Sequence, residues 1–550
     1  DTPFTVNQQM GGGTWVYLGT FRFDAGDLNN NCVILTNQSS SRGLVSADAV
    51  RLGGGMSNIV RSDSTMSYAL ASGLPRFLEA ARYSAPWYGF PLETYCVKDN
   101  DDYGDDINVR SRTENHLGRG SIYLPGDSGL CVPIELSMGI HSDAGFRRDS
   151  SIVGTLGIYT ADFYEGITGA GLSRLTSRDL ADNVMTQVHH DLKSTFGNWT
   201  RRQLYNRNYG ESREPQYPAI ILEMLSHQNW QDMRMGHDPY FKFTMGRAIY
   251  KGILRYLAAV HKCDAVVQPL PVHSVSSMLD VRKKKARLTW QPTIDVLEET
   301  ARPTKYIIYI SQGERGYDNG LAVDAKSNAV DIDLEPGIMY RFRITAVNSG
   351  GESFPSEEVC CYLASEDAPH ILLVDGFQRV AGPKAFNTES SSGFDMNEEP
   401  GVVDRKSPEY CGYQLYFGKD GLGKENATGH GYSGSELEGM ILAGNTHDWS
   451  CVHAQEILKC GQYNLSSCVA SACPTVNIQH IDIADIIFGA QMMDGYSMKP
   501  YKTFTPEVRS LMEQLTQNGK GVMVSGAHIG TDMPLPEEQQ FLKQILKWTS

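Results

Sequence analysis

No run of about 20 apolar residues occurs in the 550-residue chain, so nothing in it reads as a membrane-spanning helix. Positive charge is in short supply. Lys and Arg number 49 against 64 Asp and Glu, a net charge of −15, which argues against nucleic acid or an anionic membrane surface as the main partner. A complete phosphate-cradling Gly-x₄-Gly-Lys-Ser/Thr motif is missing. The cysteines number 11, an odd count, so at least one is free or pairs between chains. Cys451, Cys460, Cys468 and Cys473 cluster, but only Cys468 and Cys473 form a close pair, and a structural zinc site needs two such pairs. The opening residues Asp1 to Val6 form neither a signal peptide nor an ordinary domain start, so the chain is expected to begin inside a β-domain whose export signal lay upstream.

What is present is ordinary globular composition, 41% hydrophobic and 21% charged, in a length suited to three or four domains. The chain reads as multidomain. Residues 1–57 carry strand-like runs at Trp15–Phe23, Cys32–Leu35 and Val45–Leu52. Residues 58–264 alternate strand and helix signals, the pattern of an α/β domain. Helices are expected at Pro75–Tyr88, at Ser173–Phe196 with Leu180, Val184, Val188 and Leu192 on one face, and at Asp238–His261. Asp99, Asp101, Asp102, Asp105 and Asp106 are expected in a solvated loop, since their spacing fails the calcium-loop pattern. Residues 265–365 alternate as a β-sandwich, with Trp290 in an early strand and Tyr340 after Leu334-Glu335-Pro336-Gly337. Residues 366–550 return to buried strand runs, His370–Gly376, Met440–Asn445, Ile483–Phe488 and Gly521–Gly526, which predict a doubly wound α/β (Rossmann- or flavodoxin-like) domain.

Two strands attract chemistry. Val132–Gly145 alternates Ile134, Leu136, Met138 and Ile140 on one face, then opens into a polar cluster headed by His141, Ser142 and Asp143. Ala219–Leu225 carries one acid, Glu223, inside an apolar stretch and opens into Ser226, His227, Gln228 and Asn229. A carboxylate there is costly to bury unless it is paired, neutral or near a metal. A His and a Glu delivered to one sheet edge suggest hydrolysis. Two serine motifs are weaker: Gly126-Asp127-Ser128-Gly129 is broken by Leu130, and Gly431-Tyr432-Ser433-Gly434-Ser435, with His430 or His528 as partner, lacks the second elbow glycine.

Several of these stretches resemble known families. WVYLGTFRF and VSADAVRLGGG resemble the C-terminal half of the golvesin-like β-sandwich, a non-catalytic module. The 265–365 module resembles a fibronectin type III domain, which speaks to fold and little to function. SMGIHSDAG and AIILEMLSHQNWQDMRMGHDPYFKFTMGRAIYKGILRYL resemble the second-histidine strand and the last strand and helix of zinc-dependent N-acetylmuramoyl-L-alanine amidases. Residues 72–261 also resemble golvesin-bearing envelope proteins labelled amidase or xanthan lyase. The resemblance implies His141 as a zinc ligand and Glu223 as general acid/base. Ser142, Asp143, His227 and Asn229 would lie around the substrate. Zinc would lower the pKa of a bound water to roughly 7, and Glu223 would pass its proton to the leaving amine. The first histidine motif and glutamate of such amidases are not found in residues 1–140, and Glu79 stands as a substitute acid. The implied partner is peptidoglycan or another envelope glycan, and the implied location is the periplasm or cell surface. The alternatives are a non-catalytic glycan-binding surface protein and a polysaccharide lyase.

Overall fold

The computed structural model describes residues 80–98, 101–126, 129–147, 149, 151–377, 382–395, 414–419, 431–433, 448–493 and 501–548, with scattered positions before 53. The chain divides into two units. One comprises residues 51–265 and 380–444, the other residues 1–50, 266–379 and 445–550. Of the strands expected in 1–57, most fall outside the described residues. Cys32–Leu35 is described, and it is exposed and not assigned to a strand.

The first unit opens with helices α1 (Ala81–Trp87), α2 (Leu92–Tyr95) and α3 (Asp102–Gly118). Helix α1 covers only the end of the expected Pro75–Tyr88 helix, whose positions 75–79 are outside the described residues. Asp99 lies outside the described residues, and the rest of the acid run is not a solvated loop. Asp101 caps α3, its side chain accepting from the Gly104 amide at 2.8 Å, and Asp102, Asp105 and Asp106 lie in the first turns. A helix N-terminus favours negative charge and leaves amides open to capping. Asp105 is buried and accepts from the Val97 amide at 3.0 Å, with Arg82 and Arg112 nearby. Burial works to raise its pKa, but the Val97 and Lys98 amides and the two arginines outweigh it and hold the carboxyl below its usual range.

Strands β1 (Ser137–Asp143), β2 (Thr155–Tyr159), β3 (Arg201–Asn206) and β4 (Ala219–Ser226) form one sheet in the order β1-β4-β2-β3. β4 runs parallel to β1 and antiparallel to β2, while β2 and β3 are parallel. The expected Val132–Gly145 strand is therefore shorter, and the alternation does not bury all four of its apolar residues. Leu136 and Met138 pack against the core, but Ile140 is 54% exposed, because among the described residues β1 is an edge strand with a neighbour on one side only.

One face of this sheet is covered by α4 (Leu175–Phe196) and, after the short helices α5 (Gly210–Arg213) and α6 (Trp230–Gly236), by α7 (Pro239–His261). Leu180, Val184, Val188 and Leu192 of α4 are fully buried against Phe241, Met245, Ala248 and Ile249 of α7, with Ile220 and Leu222 of β4 beneath them. The helices touch closely at Gly252, where an added Cβ would come within 2.6 Å of the Val184 backbone. Asp238 accepts from the Tyr240 amide at 2.8 Å and Pro239 takes the first helical position, which starts α7; Gly197, at φ 79°, ends α4. Later in the same unit β14 (Lys384–Asn387), β15 (Ser391–Asp395), β16 (Gln414–Gly418) and β17 (Gly431–Ser433) make an antiparallel meander in sequence order, with Phe394 and Phe417 packed on Trp230 of α6.

The other unit holds the sandwich strands β5 (His273–Asp280), β6 (Lys285–Gln291), β7 (Lys305–Gln312), β8 (Leu321–Asp324), β9 (Ala329–Asp333), β10 (Met339–Asn348), β11 (Gly351–Glu352) and β12 (Val359–Tyr362). Trp290 is fully buried, edge-on to Tyr306 at 5.2 Å. Tyr340 makes the expected corner, its hydroxyl accepting from the Glu335 amide at 3.1 Å. Tyr340→Phe removes that acceptor from the Glu335 amide, and urea denaturation of the full chain should show this module destabilised by about 1 kcal/mol.

Beyond the sandwich, β13 (His370–Asp375), β18 (Asn464–Val469), β19 (Ile483–Gly489) and β20 (Gly521–Gly526) are mutually parallel in the order β20-β19-β13-β18, with α8 (Trp449–Cys460), α9 (Pro506–Gln517) and α10 (Pro536–Phe541) between and after them. In chain order the strands lie 2-1-3-4, the flavodoxin-type arrangement. Two features differ from the reading of 366–550 as one separate domain. Residues 380–444 cluster with the first unit. In addition, β18 pairs antiparallel with β12 through Tyr362 and Leu465, and with β5 through Ser277 and Ser467, so sandwich and parallel strands join in one 12-stranded sheet. The expected strand at Met440–Asn445 lies outside the described residues.

Candidate active site

The two predicted residues face each other. β1 and β4 are parallel neighbours, and their register makes His141 the direct partner of Glu223. Period-two alternation then sends Glu223 to the sheet face opposite α4 and α7, alongside Ile221 and next to Leu156 and Ile158 of β2. Apolar neighbours on that face withdraw water from the carboxyl. Glu223 Oε2 is buried with no hydrogen-bond partner. Burial is the main force raising its pKa above the usual range. Asp143 and Glu211 push the same way, while His141 and Arg202 oppose them.

His141 is held by a residue the sequence did not announce. Its Nε2 lies 2.7 Å from Glu211 Oε2, and Arg110 Nη1 of α3 donates to the other oxygen, Oε1, at 3.1 Å. With Glu211 ionised, that contact places a proton on Nε2, and the carboxylate fixes the ring's orientation. Glu114, also on α3, accepts from the Ser137 hydroxyl at 2.7 Å, and burial raises its pKa, with Glu211 adding to the rise. A run of acids thus backs the histidine. Glu211 sits on a four-residue helix and Glu114 mid-helix, and neither position stands out in a hydrophobic pattern.

The remaining candidates divide. Asp143 forms an ion pair with Arg202 of β3 and accepts from the Ala144 amide, so it closes the mouth of the sheet rather than standing free. Ser142 Oγ and His227 Nδ1 are 3.0 Å apart, tying the β1 mouth to the loop after β4. Asn229 is fully buried and donates to Ser151 O at 3.0 Å and to Asp232 Oδ1 at 2.9 Å. Asp232 in turn accepts from the Val153, Gly154 and Ser226 amides. Asn229 therefore belongs to a loop-bracing network. Glu79, Ser128 and His430 lie outside the described residues. His528 is hydrogen-bonded to Thr531 at 3.3 Å.

The described residues do not fit a zinc centre by themselves. No group of three His, Cys, Asp or Glu side chains among them is placed to hold a metal ion, and the Nε2 atom of His141 is engaged by Glu211. What the geometry does provide is an acid/base pair: a carboxyl of raised pKa with one oxygen unengaged, in register with a histidine oriented by a second carboxylate.

Comparison with known proteins defines modules rather than a whole-chain family. Residues 1–54 match the golvesin C-terminal domain and residues 270–361 the fibronectin type III domain, so neither match reaches half of the chain. Among solved structures, one described as a myokine is 18% identical and covers 18% of this chain and 99% of its own, at a TM-score of 0.15. A human fibronectin type III domain is 23% identical over 18% of this chain and 84% of its own, at 0.16. The FN5 domain of Drosophila Lar is 15% identical over 18% of this chain and 98% of its own, at 0.14. Scores of that size carry no argument, and the sandwich stands on its own strands and tyrosine corner. The chain is a multidomain protein carrying golvesin-like and fibronectin type III modules beside mixed α/β structure. Those modules point to an extracellular or envelope protein. Among the described residues no helix is long and apolar enough to cross a membrane.

Proposed function

We propose that this is a cell-envelope protein whose first unit hydrolyses the amide between N-acetylmuramic acid and L-alanine in peptidoglycan, with Glu223 as general acid/base. The observation that carries the reading is the direct register of His141 with Glu223, whose buried Oε2 has no partner. Ionised, Glu223 takes the proton of an attacking water, and protonated, it delivers that proton to the leaving amine. Its raised pKa brings both forms closer to neutral pH. His141, oriented by Glu211, sits beside the reacting groups. The test is incubation of the full chain with peptidoglycan sacculi and mass spectrometry of what is released. Peptides with a free L-alanine amino group support the reading, and intact sacculi overturn it. Zinc content of wild type and His141→Ala, measured on the same preparations, tests whether a metal belongs to the site.

One observation favours a second reading, a glycan-binding protein without catalysis. The charged groups around Glu223 are already matched within the protein, Asp143 with Arg202 and Glu211 with both His141 and Arg110. Co-sedimentation with sacculi that remain uncleaved would establish it in place of the hydrolase.

A further inference from the structure

Cys360, Cys451, Cys468 and Cys473 carry free thiols, yet they meet in pairs inside the second unit. Cys360 lies on β12, where alternation sends successive side chains to opposite sides. Cys361 enters the sandwich core with Trp290 and Tyr306. Cys360 instead enters a different cluster, formed with Ile371 and Leu373 of β13 and with Cys451 and Ala454 of α8. Its thiol contacts the carbonyl of Ser450, the residue before Cys451, at 3.7 Å, and the Cys360 and Cys451 thiols are within hydrogen-bonding reach of each other. The second pair is local. Cys468 is on β18, the chain turns through a 3₁₀ segment at Ala470–Thr475, and Cys473 comes back against Cys468 in the core beneath Val374 and Phe488. All four side chains are buried.

We propose that Cys360–Cys451 and Cys468–Cys473 are the two native disulfides of the oxidised protein, the first tying the sandwich edge to helix α8. The oxidant is a disulfide of the glutathione class. One cysteine thiolate attacks its S–S bond and releases one glutathione thiol. The partner cysteine then attacks the mixed disulfide and releases the second, so two cysteine thiols become one cystine and one oxidised glutathione becomes two reduced. Burial raises the thiol pKa of Cys451, and the contact with Cys473 together with burial raises that of Cys468, which suppresses the thiolate in the finished fold. Exchange therefore belongs to folding, while the strands are still open. That the bonds form in the cell rests on the envelope location proposed above; that they can form does not.

The experiment refolds the full reduced chain in a mixture of reduced and oxidised glutathione, blocks remaining thiols under denaturing conditions, and maps peptides by mass spectrometry without reduction. The expected result is two cystine-linked peptide pairs, Cys360 with Cys451 and Cys468 with Cys473, which removes four of the 11 thiols. Recovery of either pair in blocked, reduced form, or of Cys360 joined to Cys361 or to any other cysteine, overturns that pair. Because the first bond closes a loop of roughly 90 residues, the oxidised wild type should also melt ~10 °C above oxidised Cys451→Ser. Equal melting of the two would overturn the tie between β12 and α8. The same mapping on protein taken directly from the envelope separates a failure of the location from a failure of the pairing.

Discussion

Glu223→Gln should lower release of peptides from peptidoglycan by ~10²–10⁴-fold while leaving the fold intact. The amide keeps the shape of the carboxyl but can neither take the proton of water nor return one to an amine. The structure makes the substitution mild for stability. Glu223 Oε2 has no hydrogen-bond partner to lose, and burial raises the pKa of its carboxyl. The sign follows from that direction. A carboxyl whose folded pKa is raised contributes its stability below the unfolded value and loses it as pH rises through the folded value, so at pH 7 a neutral residue is no worse. Glu223→Gln should therefore melt at or above the wild-type temperature at pH 7, and circular dichroism of the same preparations checks it. Inactivity accompanied by a lower melting temperature would assign Glu223 a structural role. Unchanged peptide release would remove it from the chemistry.

The pair His141 and Glu223 was legible because strand periodicity is a strong constraint. An acid inside Ala219–Leu225 must occupy one of two faces, and a polar cluster after an apolar run marks a strand mouth. Glu211 was not legible, because a four-residue helix of Gly-Glu-Ser-Arg has no period, and its link to His141 depends on how a loop returns to the sheet. The acid run was misjudged for a related reason. Its charge suggested solvent, whereas a capping aspartate followed by acids in the first turn is itself a helix start. In the second unit Trp290 and Tyr340 announced the sandwich, since one fills its core and the other closes a corner. The pairing of β12 with β18 was silent. Edge strands carry their pairing information in unpaired backbone groups, which every residue has, rather than in side chains. The division of the C-terminal stretch at 380 and 444 emerged from contacts.

The other large effect lies at the end of β13. Asp375 closes the run His370–Asp375, between β19 on one side and β18 on the other, and is 1% exposed. Its Oδ1 accepts from the Phe377 amide at 3.0 Å, and its Oδ2 is buried without a partner. Burial pushes the carboxyl up to about 8; the Phe377 amide pulls it back, and Glu357 and Asp448 add to the rise. An unfolded aspartate titrates near 3.8. Between those values the unfolded chain gives up its proton while the folded one keeps it, so stability falls as pH rises and levels off above about 8. A rise of that size corresponds to about 6 kcal/mol at most. Asp375→Asn removes the titration but keeps an oxygen for the Phe377 amide. The variant should match wild type near pH 4 and melt higher by ~10 °C at pH 9. Thermal unfolding of the full chain across this range, with amide exchange of the Ile371–Val374 peptide as the local readout, checks it. Wild-type and variant curves running parallel from pH 4 to 9 would mean that Asp375 is hydrated or paired in solution, and that the carboxyl end of the parallel sheet is not closed around it.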